Sequence, residues 1–216
     1  MTLVFDPIAE TYDQWFDTAE GQAIFEAELT CLRSLGEQCQ GRWLEVGVGT
    51  GRFAGRMGIT EGIDPSPRML EIAAGRGIRV YEGYAEELPF PDSSFDGILI
   101  ALALCFIPDI RQALDQCHRI LRAEGSLLLG DIPADSQWGK AYEKEKAEGH
   151  PVWEQANFLP ASELAALVDK AGFHLKQAAS TLFWEPGGLP EIEPRLETGI
   201  IPGAGFLGLL FKKTSP

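Results

Sequence analysis

Residues 44–70 read LEVGVGTGRFAGRMGITEGIDPSPRML: a short apolar run leads into Gly47, Gly49 and Gly51, and a second run ends on Asp64. Glycine at that density marks a backbone that turns sharply and approaches something closely. In a doubly wound sheet, ligands sit at the carboxyl ends of the strands where the strand order reverses, and the first strand-to-helix turn comes nearest to them. A dinucleotide fold wants GxGxxG, but Arg52 stands where the third glycine belongs. A phosphate loop wants GK[ST], which is absent. The dinucleotide reading therefore weakens, and the loop is not a phosphate cradle.

Working outward, 42–47 (RWLEVG), 60–64 (TEGID), 78–82 (IRVYE), 95–101 (FDGILIA) and 126–132 (SLLLGDI) repeat the pattern of a buried strand. Between them, 66–76 opens on a Ser-Pro cap signal, and 110–121 sets Ile110, Ala113, Leu114, Cys117 and Leu121 on one helical face. Strands alternating with helices predict a parallel sheet covered on both sides. Pro160 opens a further helix that Gly172 closes, and two late strands follow at 173–181 and 206–213, with the loop EPGGLPEIEP at 185–194. Residues 133–159 fit neither pattern throughout and read as an insertion over the carboxyl edge of the sheet.

The 216 residues, 45% hydrophobic and 10% aromatic, suit one globular domain, 1–216. Thirty-two acidic against 18 basic residues leave a net charge of -14, a field that repels nucleic acid and anionic membrane surfaces. With no basic leader and no long apolar segment, a soluble cytoplasmic protein is expected. Cys31, Cys39, Cys105 and Cys117 show no zinc-ligand spacing and read as reduced, half-buried thiols, so no metal site is expected. The pattern leaves the oligomeric state open.

Four separated motifs, LEVGVGTG, GIDPSPRML, YAEELPFPDSSFD and ALDQCHRILRAEGSLLLGD, resemble in order and register the Rossmann-like, class I S-adenosylmethionine-dependent methyltransferases, similar to the ubiquinone/menaquinone-biosynthesis type. The resemblance covers roughly Tyr12 to Ile132. It implies an α/β doubly wound sheet of order 3-2-1-4-5-7-6, the last strand antiparallel and helices on both faces, with S-adenosylmethionine as cofactor. By the same likeness 1–40 is an N-terminal helical lid, and Tyr12 covers the methionine end of the cofactor.

Adenosylmethionine carries a sulfonium, an amino acid and an adenosine but no phosphate, which suits glycines without a lysine. Gly47, Gly49 and Gly51 would then give backbone access, and Asp64, with Ser66 beside it, would accept the ribose hydroxyls. Glu45 is implied to order the loop or meet the methionine ammonium through water, a solvated role being the rival. At the adenine end, Tyr84 stands where relatives carry aspartate; Ala85 still offers its N–H, and Glu86 is the candidate replacement acceptor. Met69 and Leu88 are candidates to pack on ribose and adenine, and Ala101 with LALCF to border the methionine.

Methyl transfer is a single in-line displacement onto a small-molecule acceptor and needs alignment in a dry pocket rather than a covalent nucleophile. Tyr12, His150 and Asp131 are the candidate catalytic groups, with Tyr142 a further possible base, whereas His118 and His174 read as structural. Trp15 and Phe16 would wall the acceptor. Aromatic walls in an acidic protein suit a cationic amine, but amine, hydroxyl and carbon acceptors all stay open. The alternatives are a non-catalytic protein that binds S-adenosylmethionine or S-adenosylhomocysteine, and a metalloid methyltransferase using Cys31, Cys39 and Cys105.

Overall fold

The computed structural model describes residues 3–36, 39–191 and 193–214. β1 (Trp43–Val46), β2 (Glu61–Asp64), β3 (Arg79–Glu82), β4 (Phe95–Ala101) and β5 (Leu121–Asp131) run parallel to one another. With β6 (Phe173–Thr181), β7 (Glu197–Thr198) and β8 (Phe206–Lys213) they form one sheet of order β3-β2-β1-β4-β5-β8-β6-β7. β8 is antiparallel to both β5 and β6. The order expected from the resemblance is reproduced once β7, a two-residue edge pairing to Ala179 and Ser180, is set aside.

Strands of a parallel sheet are buried on both faces, which is why they read as continuous apolar runs. Side chains nonetheless alternate between two cores. Ile98 and Ile100 of β4 pack with α5 (Ile110–Ile120) and α7 (Ala161–Lys170). Leu99 and Ala101 face the other core, with α2 (Ala19–Leu35), α3 (Arg52–Met57) and α4 (Pro67–Gly75). Capping sets the helix starts: Ser66 Oγ accepts from Met69 N at 3.3 Å above α4, and Asp109 Oδ1 accepts from Gln112 N at 2.9 Å above α5. Pro160 is the N-cap of α7 rather than its first helical residue. No helix of the described residues is long and apolar enough to cross a membrane.

One expectation needs correction. β5 begins at Leu121, not Ser126, because α5 passes directly into the strand; Leu121 pairs with Phe95, and a register shift follows between Phe95 and Gly97. Glu124, at φ 60°, lies in this irregular stretch, whose Glu-Gly pair imitates a loop in sequence. Residues 133–159 contain a regular helix, α6 (Gln137–Ala147), capped by Ser136 Oγ accepting from Gly139 N at 2.9 Å, and a short turn at Trp153–Gln155. Asn157 N donates to Cys105 O at 2.7 Å, tying this segment to the chain beyond β4.

Residues 1–2 and 37–38 of the expected lid, Ile192 of the expected loop and 215–216 of the chain lie outside the described residues. α1 (Ala9–Trp15) is held to the sheet's helices by charge. Asp13 takes Arg52 Nε at 2.8 Å and Arg76 Nη2 at 2.8 Å, while Arg52 Nη1 reaches Asp17 at 2.8 Å. Asp6 accepts from Ser66 Oγ at 2.7 Å. Burial raises the Asp13 carboxyl, but the hydrogen bonds from Arg52 and Arg76 outweigh it and hold the group at about 2, against an ordinary 3.8. A depressed carboxylate stabilises the fold above its unfolded value and loses that contribution as pH falls through the folded one. Asp13→Asn is therefore expected to cost about 1–3 kcal/mol near neutral pH. In thermal denaturation the variant melts below wild type at pH 7, and the two curves converge as the pH falls from 3.8 toward 2; equal melting at pH 7 would refute the latch.

Candidate functional site

β1 has β2 on one side and β4 on the other, so the chain's winding reverses at β1 and a crevice opens at the carboxyl ends. A cavity of about 1110 Å³, counted out to its open mouth, fills that crevice. Its floor is the chain after β1 and β2; Gly83 to Glu86 form one end, Ala101 to Ala103 another, and Phe5, Tyr12, Phe16 and Phe106 lie on the remaining side.

Gly49, at φ 51°, lines the cavity, and a Cβ there would meet nothing within 4 Å. Its missing side chain leaves open space in the crevice. Asp64, half-buried, takes Gly49 N on Oδ2 and Ser66 N on Oδ1, both at 2.9 Å. Burial lifts this carboxyl above its ordinary value against those two amide bonds. Each oxygen can still accept a second donor. Glu45 is 1% exposed, and its Oε2 has no hydrogen-bond partner among the described residues. Burial pushes its carboxyl far up, the Ala54 amide opposes this, and the Asp64 charge adds to it. Besides Glu45 and Asp64 the charged lining groups are Glu86 and Arg52, and Arg52 is already committed to Asp13 and Asp17. Such a lining repels phosphate and fits a ligand that brings an ammonium, a sulfonium and hydroxyl donors.

Ser66, Met69, Ala85 and Ala101 also line the cavity, as does Gly47. Glu86 stands in the wall and accepts from Asp109 N at a long 3.4 Å. Above the floor a layer of rings runs from the N-terminal arm across to residues 133–159. Phe5 packs edge-on against Tyr12 at 5.3 Å and Phe106 at 4.9 Å, Phe106 stacks on Trp153 at 6.0 Å, and Trp153 lies 4.3 Å from Tyr142.

Several expected residues are not in the cavity wall, among them Tyr142 and, of LALCF, Leu104 and Cys105. Gly51, at φ 79°, is a packing position: a Cβ would strike Ile78 Cδ1 at 2.4 Å and Ala73 Cβ at 3.1 Å, so it lets α3 seat on the sheet. Leu88 is buried in the first core. Asp131 is buried outside the wall, with Oδ1 accepting from Ile132 N at 2.9 Å and burial raising it to about 7. His150 is exposed, 6.1 Å from the Trp153 ring. Trp15 is 38% exposed and packs on Phe16, outside the cavity lining. His118 meets Phe173 edge-on at 5.4 Å. The described residues hold no grouping of three or more His, Cys, Asp or Glu able to bind a metal, and the thiols of Cys31 and Cys117 are raised to about 12 by burial.

Phe5, Thr50, Gly83 and Gln155 line the cavity without having been singled out in the sequence, and Phe106 lines it as the last residue of LALCF. Phe5 sits in a short apolar stretch that reads equally well as core. Gln155 enters only because 133–159 folds back over the crevice.

Comparison with known proteins points the same way. Residues 44–129 match the family model described as a methyltransferase domain. An uncharacterized protein of Methanocaldococcus jannaschii is 39% identical over 210 residues, 97% of this chain and 98% of its own length. A demethylmenaquinone methyltransferase of Lysinibacillus sphaericus is 27% identical over 78% of this chain and 85% of its own. A Thermotoga maritima crystal structure, described as an S-adenosylmethionine-dependent methyltransferase and possible histamine N-methyltransferase, superposes with a TM-score of 0.88 at 36% identity, covering 98% of both chains.

The two loop glycines should separate cleanly by substitution. Gly51→Val meets both a left-handed backbone and filled space, and is expected to cost about 2–5 kcal/mol of stability. Gly49→Val carries the backbone strain alone, about 1–2 kcal/mol, yet blocks the crevice. Calorimetric titration with S-adenosylhomocysteine should find no binding to folded Gly49→Val; retained affinity would move the ligand elsewhere.

Proposed function

Because the chain belongs to the S-adenosylmethionine-dependent methyltransferases, we propose that it transfers the cofactor's methyl group directly to a small-molecule acceptor held beneath the ring layer. The observation that carries this is the pairing of an unpartnered Glu45 oxygen and the Asp64 carboxyl in a cavity without a free cation among its described residues. When bound, the cofactor supplies an electrophilic methyl on a sulfonium. The chain supplies position: Asp64 holds the ribose hydroxyls, Glu45 the methionine ammonium, Gly47 and Gly49 the close backbone, and Ala85 N–H a ring nitrogen of the adenine.

Glu86 faces the adenine amine in place of the aspartate that Tyr84 replaces, while Met69 and Ala101 give apolar contact. Tyr12 covers the methionine end, and burial raises its hydroxyl well above the ordinary range, so it aligns rather than deprotonates. Leu88 and Gly51 support the wall from behind. The chain acts as one domain, with 1–40 as lid and 133–159 as the far wall. A small acceptor suits a crevice roofed by aromatic rings, and the description of the Thermotoga relative as a possible histamine N-methyltransferase supports that size class. The charge of -14 disfavours nucleic acid and suits the cytoplasm.

Asp64→Ala is expected to weaken S-adenosylhomocysteine binding by about 1–3 kcal/mol, the scale of charge-assisted bonds to two hydroxyls. Titration calorimetry on the folded variant reads this directly, and unchanged affinity would remove Asp64 from the site. Release of S-adenosylhomocysteine from S-adenosylmethionine across a panel of amines, alcohols and activated carbon acids distinguishes turnover from binding alone.

A further inference from the structure

α2 carries a further buried carboxyl, Glu28, which is not among the residues lining the cofactor cavity. A Cβ on Gly36 would meet Leu128 Cδ2 at 3.3 Å, and one on Gly130 would meet Leu32 Cδ2 at 3.1 Å. One turn back along α2 thus climbs two residues along β5, a match of about 6 Å to about 6.7 Å. The next turn back brings Glu28, on the same face as Leu32, level with the exit of β5 at the carboxyl edge. That is the height of the crevice.

Glu28 is 2% exposed. Among the described residues no donor reaches its carboxyl, and desolvation alone raises it to about 8. The ionisable groups in its field are Tyr12 of α1, Tyr142 of α6 and Cys31 further along α2, none of them a cation. Tyr12 also lines the cofactor cavity. Tyr142 belongs to a ring cluster, 4.3 Å from Trp153 and stacked on Phe158 at 5.9 Å. A buried carboxyl without a donor is costly, and aromatic faces beside it attract cations.

We propose that Glu28 receives the ammonium of an amine acceptor in a pocket bounded by Tyr12 and Tyr142, and takes one of its protons; this rests on the methyltransferase reading above. The entering ammonium stabilises the ionised form of Glu28 against the rise that burial imposes, so the carboxyl proton leaves to solvent; the ammonium then gives one of its protons to that carboxylate and becomes a neutral amine. The nitrogen lone pair then forms the bond to the methyl carbon as the carbon–sulfur bond breaks, its electron pair remaining on sulfur. The product is a methylated ammonium and a neutral thioether, and Glu28 later returns its proton to solvent.

The test is titration calorimetry on protein saturated with S-adenosylhomocysteine, using 2-phenylethylamine and its alcohol analogue 2-phenylethanol. Wild type should bind the amine about tenfold or more tightly than the alcohol. Glu28→Gln should weaken the amine about 10- to 100-fold and leave the alcohol and S-adenosylhomocysteine within about threefold. A purely structural role would instead weaken both probes together. Should Glu28→Gln not fold, Glu28→Asp keeps the charge and is expected to retain the preference for amine at reduced affinity, and the wild-type preference needs no variant. Equal affinity for amine and alcohol, or no binding of either by the S-adenosylhomocysteine complex, overturns the proposal while leaving the methyltransferase reading in place. Failure of wild type to bind S-adenosylhomocysteine overturns both.

Discussion

The Asp64 carboxylate joins two chain segments that the sheet alone would leave independent. One oxygen takes the Gly49 amide and the other the Ser66 amide, so the chain beyond β1 and the start of α4 are fixed to a single group. Both amides belong to backbone that has just left a parallel ladder and has no strand partner to return to. The shape of the crevice follows from this bridge. It sets where Gly49 opens space, and it lies close enough to Glu45 to raise that carboxyl further. Ser66, capped against Met69 and bound to Asp6, carries the same constraint into the N-terminal arm.

Much of the architecture was legible because parallel strands must be apolar on both faces. The runs at β1, β2, β4 and β8 could hardly be anything else, and the glycine cradle with Asp64 located the crevice. Legibility failed where two explanations share one pattern. Gly51 looked like part of the cradle, yet its neighbours Ile78 and Ala73, brought in by α4 and the approach to β3, make it a packing glycine. Leu88 follows Ala85 and Glu86 closely but turns into the first core. His150 and Asp131 have chemistry worth choosing, but their placement depends on how 133–159 folds back, which no local pattern encodes. The early start of β5 was hidden by a Glu-Gly pair that resembles a turn.

The acidity of the chain takes on a local meaning at the crevice. Carboxyls at Glu45, Asp64 and Glu28 are all raised by burial, and the guanidinium of Arg52 that reaches the same cavity is neutralised by two aspartates. Uncompensated buried carboxyls are costly to hold. Their concentration along one edge of the sheet costs stability there and makes that edge attractive to positive charge.

Arg52 is the first residue of α3, directly after the glycine cradle, and it is also the anchor of α1 through Asp13 and Asp17. Ligand site and arm therefore share a residue and cannot rearrange separately. Under thermodynamic linkage, any ligand that favours one arrangement of the cradle shifts the population of the docked arm by the same free energy. Salt screens the Asp17 pair, whose carboxylate is largely exposed, and screens the mostly buried Asp13 pair much less, so ionic strength loosens the margin of the arm before its latch.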